Sequence, residues 1–265
     1  MVIRSSPGKL IIGTADLEKV TMNTKSTNKT IVIFGAGTGL GASLAARFGR
    51  EGYRVALVAR RAAPLEERVA ELARAGIEAV AFPADLTNLD GIPALVRSIE
   101  ERFGSIDVAV YSPVPTGIGF VPAVELDAST LQSMAPIFTF SPIEVSHAVL
   151  PGMLARGDGA VVIVGGLTAV VTVPGWSGVG PMMAAARNYV FTLNAEVMPK
   201  GVYAGTVSIG AFIDHSAGLR AMTSGGATLD PGLPVINPDD IAQEIWTLVT
   251  KRDRVEAILP PLPLA

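Results

Sequence analysis

Residues 30–61 read Thr-Ile-Val-Ile-Phe-Gly-Ala-Gly-Thr-Gly-Leu-Gly-Ala-Ser-Leu-Ala-Ala-Arg-Phe-Gly-Arg-Glu-Gly-Tyr-Arg-Val-Ala-Leu-Val-Ala-Arg-Arg. The first five are a β-rich apolar run. A loop with glycines at Gly35, Gly37, Gly39 and Gly41 follows, with Thr38 and Leu40 between them, and it opens a helical stretch and then a second β run. Strand before and helix after is the context a phosphate-cradling loop requires. Glycine lets the backbone turn sharply and approach a pyrophosphate, whose charge the free N–H groups at the helix start stabilise. The plainer reading is a glycine-rich turn with no ligand. The second β run ends Val58-Ala59-Arg60-Arg61. An acidic side chain there would bond a ribose 2′-hydroxyl, whereas two arginines suit a 2′-phosphate in charge and geometry. The expectation is NADP(H) in preference to NAD(H); the alternative is a pair of solvated charges at a helix start.

Beyond this unit, short β-rich runs continue to alternate with helical ones. Strands are expected over Thr30–Phe34, Arg54–Val58, Glu78–Pro83, Val108–Tyr111, Ala160–Val164, Tyr203–Ser208 and Val255–Leu259, with helices over Leu40–Glu51, Pro64–Ala75, Leu89–Phe103 and Met182–Val197. That alternation implies right-handed crossovers and a doubly wound parallel sheet, an α/β fold of Rossmann type with about seven strands and helices on both faces. Runs such as Val161-Val162-Ile163-Val164 suit a sheet covered on both sides. Residues 30–265 read as a single domain without repeats. Residues 1–29 are polar and aperiodic and read as an N-terminal appendage, open to being disordered, with Met22 as an alternative start.

The 265 residues are 49% apolar and 17% charged, enough for a large shared core. There is no cysteine, which removes disulfides, thiolate nucleophiles and Cys-ligated zinc, and no metal site is expected. A net charge of −3 without a basic stripe argues against nucleic acid. The charge-free stretch 159–186 is long enough to span a bilayer. Gly165, Gly166, Pro174, Gly175, Gly178, Gly180 and Pro181 punctuate it, however, so it reads as strand, loop and small-residue helix rather than as a membrane span. Lys9, Asp16 and Glu18 interrupt any signal-peptide core, and a cytoplasmic setting is expected.

Several further motifs resemble those of the short-chain dehydrogenase/reductase family, over nearly the whole chain from Thr30. They are Gly35-x-x-x-Gly39-x-Gly41, Asp85-Leu86-Thr87, Gly104-x-Ile106-Asp107, Leu150-Pro151-Gly152-Met153 and Leu193-Asn194-Ala195-Glu196. The resemblance implies cofactor contacts from the glycine loop, from Asp85 and Leu86 at the adenine, and from Ser112. It also places the family's catalytic positions here, and most are changed. The run after the fourth strand is Tyr111-Ser112-Pro113-Val114; the asparagine position falls at Phe138, the serine at Gly166, and the tyrosine and lysine at Val179 and Met183; the Pro-Gly turn after the sixth strand becomes Ile209-Gly210. The resemblance thus points to a divergent member lacking the Asn-Ser-Tyr-Lys set. Whatever the alignment, the residues four after Tyr53, Tyr111, Tyr189 and Tyr203 are Leu57, Pro115, Leu193 and Val207, and no lysine stands between Lys29 and Lys200. The phenol whose pKa a neighbouring ammonium lowers is therefore missing from the chain.

Three residues are catalytic candidates in their place. Tyr111 would stand at the carboxyl end of the fourth strand, as a proton donor or an aromatic wall. Asp214 and His215 form an adjacent acid–base pair or a solvated turn. His147, nine residues past Phe138 and about 180° around a helix, should face away from the pocket. Pro142 lacks the N–H that would bond the Phe138 carbonyl, so a kink and a freed acceptor are expected. Three functions remain open: an NADP(H)-dependent oxidoreductase with an apolar site and an apolar small-molecule substrate, for which ordinary ketone reduction is disfavoured; a non-redox isomerase, lyase or cyclase; and a catalytically inactive NADP(H)-sensing protein. Ala184, Ala185 and Ala186 permit close helix approach, so a homodimer or homotetramer is expected.

Overall fold

Strand β1, Thr30–Phe34, is buried along its whole length and stands at the centre of the sheet. Its residues alternate between two cores: Val32 and Phe34 point to one face, Ile31 and Ile33 to the other. The structure is a computed structural model and describes residues 27–115, 120–224 and 234–262. Around β1 the chain adds α1 (Leu40–Arg50), β2 (Arg54–Ala59), α2 (Ala62–Arg74), β3 (Ala79–Pro83), α3 (Ile92–Phe103) and β4 (Val108–Tyr111). Then come α4 (Ala128–Ala135), a π-turn over Pro136–Phe140, α5 (Ser141–Arg156), β5 (Gly159–Gly166), α6 (Val179–Val197) and β6 (Val202–Ile209). The chain closes with β7 (Phe212–Ile213), α7 (Ala217–Ser224), β8 (Val235–Ile236), α8 (Pro238–Lys251) and β9 (Glu256–Leu259).

The main sheet has seven parallel strands in the order β3-β2-β1-β4-β5-β6-β9, as the alternating pattern predicts. Both faces are covered, which is why the central strands carry unbroken apolar runs. Helices α3, α5 and α6 bury the face of Phe34, Ala109, Tyr111 and Ile163; α1, α2 and α8 bury the face of Ile31, Val55, Val110 and Val162. Strand order reverses between β1 and β4, so a crevice opens there at the carboxyl ends, where such sheets hold ligands.

Most expected elements lie within one or two residues of their observed bounds. Helix α8 is not among the helices named from the sequence; Asn237 caps it through the Asp239 N–H, and Pro238, Asp239 and Asp240 fill its first turn. Of the N-terminal appendage, residues 1–26 lie outside the described residues. Its last part is already tied to the sheet, since the Thr27 N–H donates to the Gly52 carbonyl and Lys29 pairs with Asp158 at 3.1 Å. The stretch 159–186 folds as β5, a 3₁₀ turn, a loop and the start of α6. One continuous helical stretch, residues 128–156, is long and apolar enough to cross a membrane, with 56% of its apolar window buried; its α5 part packs on α3, α6 and β5.

Candidate active site

The glycine loop and the loop after β4 meet at the crevice. Gly35 is held at φ 93°, and a Cβ there would come within 2.5 Å of the Pro113 nitrogen, so only glycine lets the two loops touch. A Cβ on Gly41 would come within 2.8 Å of the Ala36 Cα, which seats the loop against α1. Gly37 is exposed, and a Cβ there would meet only the Gly35 carbonyl oxygen, at 3.9 Å. Gly39 caps α1 without a side-chain hydrogen bond, and no described residue accepts from the N–H groups of Leu40 and Gly41. Beside them the Ser112 hydroxyl is buried without a partner. Free donors at a helix start, an open glycine floor and an orphaned hydroxyl fit a pyrophosphate and its sugar.

Arg60 and Arg61 stand exposed at the end of β2, with no carboxylate partner among the described residues. Asp85 lies next to this edge. Its carboxylate accepts the Thr87 N–H at 2.9 Å and the Thr87 hydroxyl at 2.8 Å, which hold its pKa below the usual carboxylate range, with a smaller pull from the Arg60 charge. Leu86 is buried in the core. The predicted adenine-side pair therefore divides its work: Asp85 fixes the turn at the sheet edge and Leu86 anchors it.

Next to the glycine loop, Tyr111, Phe138 and Met183 line one cleft, together with Ile163 and Gly165 of β5. The cleft is narrow, with a free volume of about 10 Å³, room for one water. The Met183 sulfur accepts the Gly166 N–H at 3.1 Å, and a Cβ on Gly166 would sit 3.2 Å from that sulfur. Val179, 9% exposed, lies one turn earlier on α6. The loops after β4 and β5 are joined: the Ser177 N–H donates to the Val121 carbonyl, and Phe120 stacks on Trp176 with centroids 3.8 Å apart.

Tyr111 is 4% exposed and its hydroxyl donates to the Ile137 carbonyl at 2.6 Å. Burial pushes its pKa far above the usual tyrosine range. The reason for that bond lies in the helix. The expectation was a Phe138 carbonyl freed by Pro142. Instead, residues 136–140 form a π-turn in which the Ser141 N–H donates to the Pro136 carbonyl, five residues back. In that register the acceptor that Pro142 leaves without a donor is Ile137, and the Tyr111 hydroxyl fills the gap. Thr139 ties the same turn to α6 through the Met182 carbonyl at 2.9 Å. His147 is exposed on α5, facing away from Phe138 as the helical arithmetic expects.

The structure does not bring Asp214 and His215 into this cleft. Their side chains are 47% and 75% exposed, and His215 Nε2 stands 3.6 Å from Asp214 Oδ2, too far for a hydrogen bond. Their backbone instead lies on the glycine loop, where a Cβ on Gly39 would meet the Asp214 carbonyl at 3.1 Å. Sequence reasoning missed a charged cluster at the cleft's edge. Arg187, one turn beyond Met183, binds Glu256 of β9 with both nitrogens at 2.8 and 2.5 Å, and Ser208 donates to the same carboxylate at 2.8 Å. Burial raises the Glu256 pKa, but the Arg187 and Ser208 bonds outweigh it and the net shift is downward. The i+4 spacing from Met183 to Arg187 was legible in the sequence; the Glu256 partner was not. Among the described residues no cluster of His, Cys, Asp or Glu is placed to hold a metal.

The sequence profile of the short chain dehydrogenase family matches residues 29–217. A dehydrogenase/reductase SDR family protein 7-like of Anopheles gambiae is 27% identical over 268 residues, spanning 97% of this chain and 82% of that protein. The 2-(S)-hydroxypropyl-CoM dehydrogenase 3 of Xanthobacter autotrophicus is 28% identical over 203 residues, 77% of this chain and 79% of its own. Among solved structures, an alcohol dehydrogenase of the archaeon Thermococcus sibiricus, complexed with 5-hydroxy-NADP, superposes with a TM-score of 0.73 at 25% identity, over 89% of this chain and 99% of that one.

Proposed function

The chain belongs to the short-chain dehydrogenase family, and from that premise we propose an NADP(H)-dependent oxidoreductase that works on a neutral, apolar substrate without a tyrosine–lysine pair. The observation that carries this reading is the contact between Gly166 and Met183. Where the resemblance puts a serine and a lysine, a thioether sulfur occupies the space and takes the Gly166 N–H. The serine hydroxyl is absent at Gly166, where the one hydroxyl within reach of an added Cβ is Thr168 Oγ1 at 3.7 Å, and no ammonium stands at Met183 to lower a phenol's pKa. Tyr111 offers no substitute, because its hydroxyl proton is committed to the Ile137 carbonyl.

A bound nicotinamide would supply or accept the hydride. The chain's own contribution is then binding, orientation and exclusion of water. Phe138, Ile163 and Met183 give the cleft an apolar wall, with Arg187, Thr206 and Ser208 as its polar lining. A substrate suited to such a site needs little proton donation from the protein, as does an iminium or a conjugated alkene. Preference for the 2′-phosphorylated cofactor rests on Arg60 and Arg61, exposed and unpaired among the described residues at the end of β2. The NADP derivative held by the similar alcohol dehydrogenase supports the same choice. We further infer a homodimer or homotetramer through α5 and α6, where Phe191 on α6, Phe140 just before α5 and Met198 just after α6 are exposed apolar side chains.

Calorimetric titration tests the cofactor assignment. NADP+ should bind more tightly than NAD+, and Arg60→Ala with Arg61→Ala should remove that advantage, about 10- to 100-fold for charge-assisted bonds to one phosphate. Equal affinity in the wild type, or no binding of either, refutes it.

A further inference from the structure

We infer that Arg220, on α7, is a ligand for a phosphate of the bound dinucleotide and couples that helix to cofactor binding; the inference rests on the NADP(H) reading above. Arg220 lies 182 positions from Thr38 in sequence, yet its Nη2 donates to the Thr38 hydroxyl at 2.6 Å. Its Nη1 donates to the His215 carbonyl at 2.7 Å, and the Thr38 hydroxyl donates to that carbonyl at 2.9 Å. The guanidinium is thus held over the glycine loop by two neutral oxygens.

Those partners leave its charge uncompensated. No carboxylate pairs with Arg220 among the described residues. A guanidinium has five N–H donors, and a fork of them matches a phosphate bidentately. The side chain is exposed, so a surface ion pair or plain hydration would satisfy it anywhere else. Here it is positioned beside the uncapped start of α1, where Leu40 and Gly41 offer N–H groups without described acceptors. The backbone around it is built to the same place. His215 adopts φ 56°, a left-handed conformation uncommon outside glycine, and Gly39 leaves room for Asp214 and Ser216 to lie on the loop. Arg220 therefore joins the segment 214–220 to the loop through the atoms nearest the expected phosphate, and a phosphate there would bind both elements at once.

Two sources of phosphate share this chemistry, the pyrophosphate and the 2′-phosphate, and one experiment separates them. Calorimetry on the full chain with NADP+ and with NAD+ compares wild type with Arg220→Gln, whose exposed position leaves folding intact by thermal denaturation. The variant should lose about 10- to 100-fold in affinity, the range for a hydrogen bond to a charged group. Loss for both cofactors assigns the pyrophosphate; loss for NADP+ alone assigns the 2′-phosphate. The salt dependence of NADP+ affinity should also be shallower in the variant, which a purely structural staple would not produce. Cofactor should slow hydrogen exchange at residues 214–221 in wild type and not in the variant. Unchanged affinity and salt dependence in Arg220→Gln overturn the inference while leaving the cofactor reading intact. Absence of binding by the wild type overturns both.

Discussion

Replacing Tyr111 with phenylalanine separates a structural hydroxyl from a catalytic one. The ring is 4% exposed and phenylalanine keeps its volume, so no ring-sized cavity forms. What disappears is the 2.6 Å bond to the Ile137 carbonyl, which then lies buried in a π-turn whose next donor position is Pro142. Leaving a buried acceptor without a partner costs about 1–3 kcal/mol. In a domain of this size each kcal/mol moves the melting temperature by about 2–4 °C, so Tyr111→Phe should lower it by roughly 2–12 °C. The cost should shrink when Pro142→Ala supplies an N–H to the same carbonyl, and a double-mutant cycle in urea measures that coupling. Hydride transfer per folded molecule should be nearly unchanged. If stability is unaffected while transfer falls by about 10²-fold or more, the scale of a lost general acid, Tyr111 is the proton donor and the structural reading is wrong.

Glu256→Gln breaks the Arg187–Glu256–Ser208 cluster and should destabilise the protein by about 1.5–3 kcal/mol at neutral pH. Because the folded-state pKa of Glu256 is lowered, its contribution is present above the unfolded value, near 4.3, and is lost as pH falls through the folded value. Melting temperatures of wild type and variant should therefore converge below about pH 4, and a gap that stays constant to lower pH refutes the assignment. Light scattering should give a dimer or tetramer, and Phe191→Glu, which puts a charge on the exposed face of α6, should shift it toward monomer. A wild type that is monomeric at all concentrations contradicts the interface.

The glycine loop and the central strands were legible because their signals are local. Strand β1 and strand β4 have the bounds that their apolar runs predict, and Gly35 to Gly41 sit between strand and helix as the spacing requires. The ends of elements were less legible. Strand β5 runs on to Gly166 because β6 pairs with it through Ile209, a partner the sequence does not announce. The π-turn was half legible: Pro142 signals a freed carbonyl, but the extra residue in the turn decides that it is Ile137. Glu256 reaches Arg187 from 69 residues away, and Arg220 reaches Thr38 from 182. Such contacts follow from strand order and crossover path, which no short pattern encodes.

We propose that hydride transfer here proceeds without a protein phenol–ammonium pair. Single-turnover mixing of the wild type with NADPH, against a panel holding an unactivated ketone, a conjugated enone and a preformed iminium, tests it most directly. NADPH should be oxidised with the enone or the iminium and not above background with the ketone. Robust reduction of the unactivated ketone, unaffected by changes at Val179 and Met183, would contradict it.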